Sequence, residues 1–111
     1  MIEDALKDIV DRFNRRAERT ESVREELAGL ERTVTVRFRD GVSYSVDLKD
    51  SRLQNLRSGA ASKPDLTIRT DAATFESLLK REMGPIKAIV LRKLTIEGSL
   101  EDKLLFRKLL S

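Results

Sequence analysis

The chain has 111 residues with neither cysteine nor histidine, and its 22 basic and 19 acidic side chains leave a formal charge of +3. That length suits a single domain over residues 1–111, with little room for a second core. The missing residue types exclude Ser-His-Asp and Cys-His catalysis, thiolate nucleophiles, disulfide staples and the usual zinc sites.

The start, Met1-Ile2-Glu3-Asp4, shows neither a basic n-region nor a continuous apolar stretch, and no run is long enough to span a bilayer. A cytoplasmic, unprocessed chain is therefore expected, and the absence of cysteine fits a reducing compartment. Ile2, Leu6, Ile9, Val10 and Phe13 recur at helical spacing, with Ala17 extending the face. On the same stretch Arg12, Arg15, Arg16 and Arg19 stand among Asp8, Asp11, Glu18 and Glu21. This reads as a solvated helix face, with transient contact to an anionic membrane surface as the alternative. Only Phe13 is aromatic there and it lies on the apolar face, so nucleic acid is not expected as a partner. Thr20-Glu21-Ser22 breaks the helix, and Ser22 with Glu25 forms a capping-box pattern ahead of a second helix bearing Val23, Leu27 and Leu30.

From Arg32 the period changes to two, with Val34, Val36 and Phe38 alternating with Thr33, Thr35, Arg37 and Arg39 in a half-buried strand. Asp40-Gly41 predicts a two-residue hairpin with positive φ at both positions. Val42, Tyr44, Val46 and Leu48 then alternate in the antiparallel partner. Asp50-Ser51 turns into a third strand whose Leu53 and Leu56 stand three apart, the spacing of a short, bulged or edge strand. Ser58 to Pro64 is a loop of small residues, after which Leu66 and Ile68 resume the alternation. Asp71 can cap a helix with Phe75, Leu78 and Leu79 on one side and a Glu76–Lys80 pair on the other.

Gly84-Pro85 ends that helix and begins another over Ile86 to Arg92, in which Lys87 is the only polar residue before the end. A helix apolar nearly all round must be buried on several sides or face something apolar. Leu94 and Ile96 alternate with Thr95 and Glu97 in a last strand. Gly98 turns, and Ser99 can cap a final helix whose Glu101 and Asp102 suit its N-terminal dipole. Leu105, Phe106, Leu109 and Leu110 cover an arc of about 140° there, wide enough for core packing, a lid over a ligand or a dimer contact.

This order of elements resembles the sterol carrier protein type-two (sterol-binding) domain family over nearly the whole chain, as a small free-standing, prokaryotic-like member. The resemblance is most specific in Pro64-Asp65-Leu66-Thr67-Ile68, Asp71 with Phe75, Leu78-Leu79, Gly84-Pro85-Ile86-Lys87-Ala88 and Lys93-Leu94-Thr95-Ile96-Glu97-Gly98. The family reads there roughly as Pro-Asp, a strand, an acidic helix start, a Pro-x-x-Ala helix and Gly-Lys-Leu-x-Ile-x-Gly-Asp. Leu27-Ala28-Gly29-Leu30 leading to Thr33-Val34 also looks like its bacterial and archaeal members. Arg92 stands where the family usually has Gly, and Ser99 where it often has Asp.

What the resemblance implies is an α+β fold: a five-stranded, mostly antiparallel sheet with helices covering one face and an apolar tunnel between the layers. Such a domain binds a sterol, isoprenoid, fatty acid or fatty acyl-CoA, without catalytic residues or a cofactor. In this chain Phe75, Leu78, Leu79, Met83, Ile86, Ile89 and Val90 are the expected wall, with Leu105, Phe106 and Leu109 as the movable side. Ordinary core packing competes for each of them. Lys87 and Arg92, at opposite ends of the short apolar helix, are candidates to meet a charged headgroup. The alternative function is an interaction module in which the C-terminal stripe docks on a second copy or on an enzyme of lipid or acyl-group metabolism.

Overall fold

The first helix, α1 (Ile2–Arg19), buries Leu6, Asn14 and Ala17 on one side and turns its charges outward, where Arg12 pairs with Asp8 at 2.9 Å. The computed structural model describes residues 2–110, and their side chains as far as Leu105. A second helix, α2 (Glu21–Leu27), starts two residues earlier than the capping box requires. Thr20 is its N-cap and makes no side-chain cap bond, so Ser22 and Glu25 lie inside the helix.

Five strands follow as β1 (Arg32–Phe38), β2 (Ser43–Lys49), β3 (Arg52–Ser58), β4 (Leu66–Thr70) and β5 (Thr95–Gly98), in the sheet order β3-β2-β1-β4-β5. All neighbours are antiparallel except β1 and β4, which run parallel, so the sheet is mixed. Helices α3 (Ala72–Leu79) and α4 (Pro85–Val90) lie between β4 and β5 in the chain, and α5 (Leu100–Leu110) follows β5.

The register sorts the side chains by face. Val46, Val34 and Leu66 share one row, and Tyr44, Val36, Ile68 and Ile96 the next. The alternate rows, Ser45-Thr35-Thr67-Glu97 and Ser43-Arg37-Arg69-Thr95, put hydroxyls and charges on the opposite face.

The β1–β2 hairpin corrects the expected turn. Phe38 accepts from Gly41 N–H at 3.0 Å and donates to Val42 at 2.9 Å, and positive φ falls on Gly41 (101°) but not on Asp40. This is a three-residue loop, Arg39-Asp40-Gly41, which asks a left-handed conformation only of the glycine and leaves Val42 exposed before β2 begins. The two-residue turn with positive φ at both positions lies instead at Asp50 (55°) and Ser51 (60°), between paired Lys49 and Arg52. β3 is an edge strand with a register shift, and Asn55 has φ 58°.

From β3 the chain must reach β4 on the far side of β1. Residues 59–65 cross the polar face of the sheet to do so. Ser45 Oγ donates to Gly59 O at 2.8 Å and accepts from Ala61 N–H at 3.0 Å, and the hydroxyls of Thr35 and Ser45 lie 2.9 Å apart. The crossing backbone buries both side chains almost completely. Asp65 then enters β4 by clasping Thr33 at both ends, accepting its N–H at 2.7 Å on Oδ2 and donating its own N–H to Thr33 O at 2.8 Å.

Two apolar clusters lie on the other face. One packs Ala17, Leu27 and Leu48 with Phe13, Val23, Leu30 and Leu53, so α1 and α2 cover the β2–β3 side. The second packs Ile68, Ala88 and Leu94 with Val34, Val36, Leu78 and Met83, under α3 and α4. At the chain's end Ser99 Oγ accepts from Asp102 N–H at 3.1 Å, capping α5, and Arg32 Nε meets Asp102 at 2.8 Å to hold that helix to β1. Hydrogen bonding to Asp102 raises the Arg32 guanidinium's affinity for its proton.

Candidate functional site: an apolar layer under α3 and α4

Phe38 is buried between two aromatic rings, edge-on to Phe75 of α3 at 5.4 Å and to Tyr44 of β2 at 6.4 Å between centroids. The position of α3 over this ring is set by Asp71, whose Oδ1 accepts from Thr74 N–H at 2.7 Å. That hydrogen bond holds the Asp71 carboxyl below its usual range against the opposing effect of burial, and Arg39 and Lys93 add to it. The exposed Glu76–Lys80 pair forms on the outer side at 2.8 Å. Pro85 is the first residue of α4, with Gly84 as its N-cap.

α4 ends in a left-handed residue at Arg92, φ 60°, whose N–H reaches Ile89 O at 3.0 Å while Lys93 N–H reaches Ala88 O at 2.9 Å. This is a Schellman cap, and it gives the reason a glycine suits that position. α3 ends in the same way, with Arg81 at φ 59° and the bonds Arg81 N–H to Leu78 O and Glu82 N–H to Ser77 O. The turn after α4 is tied down twice more. Thr70 Oγ1 donates to Lys93 O at 3.0 Å, and Arg39 Nη2 donates to Arg92 O at 3.3 Å.

The predicted wall divides in two. Phe75, Leu78, Leu79 and Met83 are half-buried; Leu78 and Met83 pack on the Ile68–Ala88–Leu94 cluster and Phe75 on Phe38. Ile86, Ile89 and Val90 stand 53, 40 and 73% exposed, with Leu91 beside them at 49%. Ala88 is the residue of α4 that faces the sheet, fully buried, and its methyl group lets the helix backbone come close to Ile68 and Leu94. Leu105 is half-buried on α5. The side chains of Phe106 and Leu109 lie outside the described residues. Lys87 and Arg92 are both exposed.

Tyr44 and Phe38 belong to the layer too. Their period-two alternation was the available signal, but it marked only a buried face. The contact of Phe38 with α3 depends on a helix more than thirty residues away in the chain, and Tyr44 joins the layer through Phe38. Among the described residues no three acidic side chains converge as a metal site would require. What the layer offers is apolar surface, partly closed by side chains that are themselves not fully buried.

No curated protein matches the chain by sequence. Among solved structures, the fold superposes on the ubiquinone synthesis protein UbiJ-SCP2 with a TM-score of 0.68 and 15% identity, covering 97% of this chain and 91% of that one. Sterol carrier protein 2 gives 0.64 and 17% identity over 91% and 89% of the two chains. The inverting sec-alkylsulfatase Pisa1 from Pseudomonas sp. gives 0.62 and 21% identity, and there this chain spans 78% of its own length but only 14% of the enzyme. These likenesses establish the fold, α+β with the sterol carrier arrangement. A sequence profile of the SCP-2 sterol transfer family matches residues 10–111, and the chain belongs to that family.

Proposed function

We propose that this domain is a non-catalytic, cytoplasmic binder of an apolar lipid, which it takes up between the sheet and α3, α4 and α5 and passes on by reversible partition. The observation that carries the reading is the partly covered apolar layer in which Phe75 packs on Phe38 and Leu78 and Met83 on the Ile68 cluster, with Leu79 half-buried, in a member of the SCP-2 family. Leu105, Phe106 and Leu109 are assigned the movable side, and Ile86, Ile89 and Val90 the entrance. Each CH₂ brought into such a layer gains on the order of 0.8 kcal/mol. Among the expected sterol, isoprenoid and fatty-acyl classes of ligand, likeness to a ubiquinone synthesis protein supports the isoprenoids.

Mass spectrometry of the organic extract of the purified chain, beside an equally treated unrelated protein, tests this directly. Enrichment of one lipid class near one per chain is expected, and an extract identical to the control rejects the binding reading. A second reading rests on Leu100 and Leu104, one turn apart on α5 and exposed at 73 and 54%. It makes this helix a contact for a second copy or for a lipid-metabolic enzyme. Molecular size that grows with protein concentration in lipid-free material supports it.

A further inference from the structure

Four of the apolar side chains that the fold leaves exposed sit together on one short helix, α4 with its cap: Ile86, Ile89, Val90 and Leu91. At about 100° per residue, the first three fall in one arc opposite the buried Ala88, so they form an outward ridge and not a groove. Cations surround it. Lys87 lies beside the ridge, Arg92 and Lys93 are exposed at its C-terminal end, and the Arg39 guanidinium is brought to the same end by its bond to Arg92 O. Residues 83–96 hold three cations and no carboxylate, as many charges as the formal excess of the whole chain, +3. The carboxylate that Arg39 and Lys93 act upon, Asp71, is engaged as the cap of α3.

We propose that this ridge docks the domain on the surface of an anionic lipid bilayer, with Ile86, Ile89, Val90 and Leu91 in the headgroup–acyl boundary and Lys87, Arg92 and Lys93 on the lipid phosphates. An apolar ridge edged by cations is the arrangement by which a helix lies in a membrane interface. A fluid interface closes around a convex ridge, whereas a protein partner must supply a matching groove with an acidic rim. The surface stands on α4 itself and does not depend on which ligand the domain holds.

Flotation of the full chain with vesicles of phosphatidylcholine, with and without phosphatidylglycerol, tests the assignment by following protein and not lipid transfer. The chain is expected to float with the anionic vesicles and to detach as salt is raised. Val90→Asp should weaken that association about tenfold, and Lys87→Ala with Lys93→Ala by a similar factor. Arg15→Ala with Arg19→Ala on α1 should leave it unchanged. Val90 is the most exposed of the four, so circular dichroism of V90D is expected to match the parent, and the lysine pair tests the surface independently. Failure to float, equal binding to both vesicles, loss on changing α1 in place of α4, or self-association through the ridge without flotation would each overturn the proposal.

Discussion

Arg81 and Arg92 hold φ values of 59 and 60°, where a side chain other than glycine brings its Cβ against the next carbonyl oxygen. Both arginines stand immediately past a helix C-cap, a position that favours a cation and offsets part of that strain. Arg92→Gly is expected to raise stability by about 0.5–1 kcal/mol, read as a higher urea midpoint with an unchanged slope. Ser45 is the reverse case. Its hydroxyl serves Gly59 O and Ala61 N–H under the crossing backbone, so Ser45→Ala removes the bond to Gly59 O, leaves Ala61 N–H to Thr35 Oγ1 at 3.2 Å, and should cost about 1 kcal/mol. Gly98 allows no change of this kind, because a Cβ there would stand 2.6 Å from Asp65 O.

At the scale of elements, Asp71 governs how α3 begins. Its native carboxyl is held below the unfolded value, so its contribution is complete at neutral pH. It shrinks as pH falls through the ordinary Asp range near 3.9, and is gone once the native carboxyl is protonated. Asp71→Ala should therefore lose about 1 kcal/mol at neutral pH, with the two unfolding curves converging in acid. The alternation of Val34, Val36 and Phe38, the leucine spacing of β3 and the Asp71 cap were all legible in the sequence, because each is written in neighbouring residues. The first hairpin was legible as a hairpin, but not the length of its loop, since Asp-Gly serves a two-residue loop and a three-residue loop equally well. Nor was the orientation of α4. Apolar residues on nearly every side say that a helix needs cover but not where the cover is, and the small Ala88, not a large side chain, proved to be the buried contact.

Across the whole molecule, α1 and α2 cover the β2–β3 half of one sheet face and α3 and α4 the other half of that same face, each over its own cluster. α5 is joined to β1 by Arg32 and Asp102, seventy residues apart. The sequence marked Asp102 as a dipole-friendly residue, while its partner depended on the finished sheet. Arg32→Ala leaves a buried carboxylate without its cation, and a loss of about 1.5–3 kcal/mol is expected. Amide exchange should accelerate in α5 before it does in the central β1, whose exchange should follow global unfolding. If all residues opened together in that variant, the ion pair would not be a local tether.

Asn14 of α1 is buried against the edge strand, where its side-chain amide donates to Leu53 O at 2.9 Å and accepts from Leu53 N–H at 2.8 Å. One side chain thus occupies the place a sixth strand would take, for the length of a single residue. The contact is blind to the side chain at position 53, so substitutions there can vary freely as far as this bond is concerned. At position 14 there is no synonym: aspartate lacks the donor and glutamine is a methylene too long. The amide indexes the helix against the sheet like a pin in a scale. Length changes before residue 14 leave that index standing, and those between 14 and 53 must be absorbed without moving it.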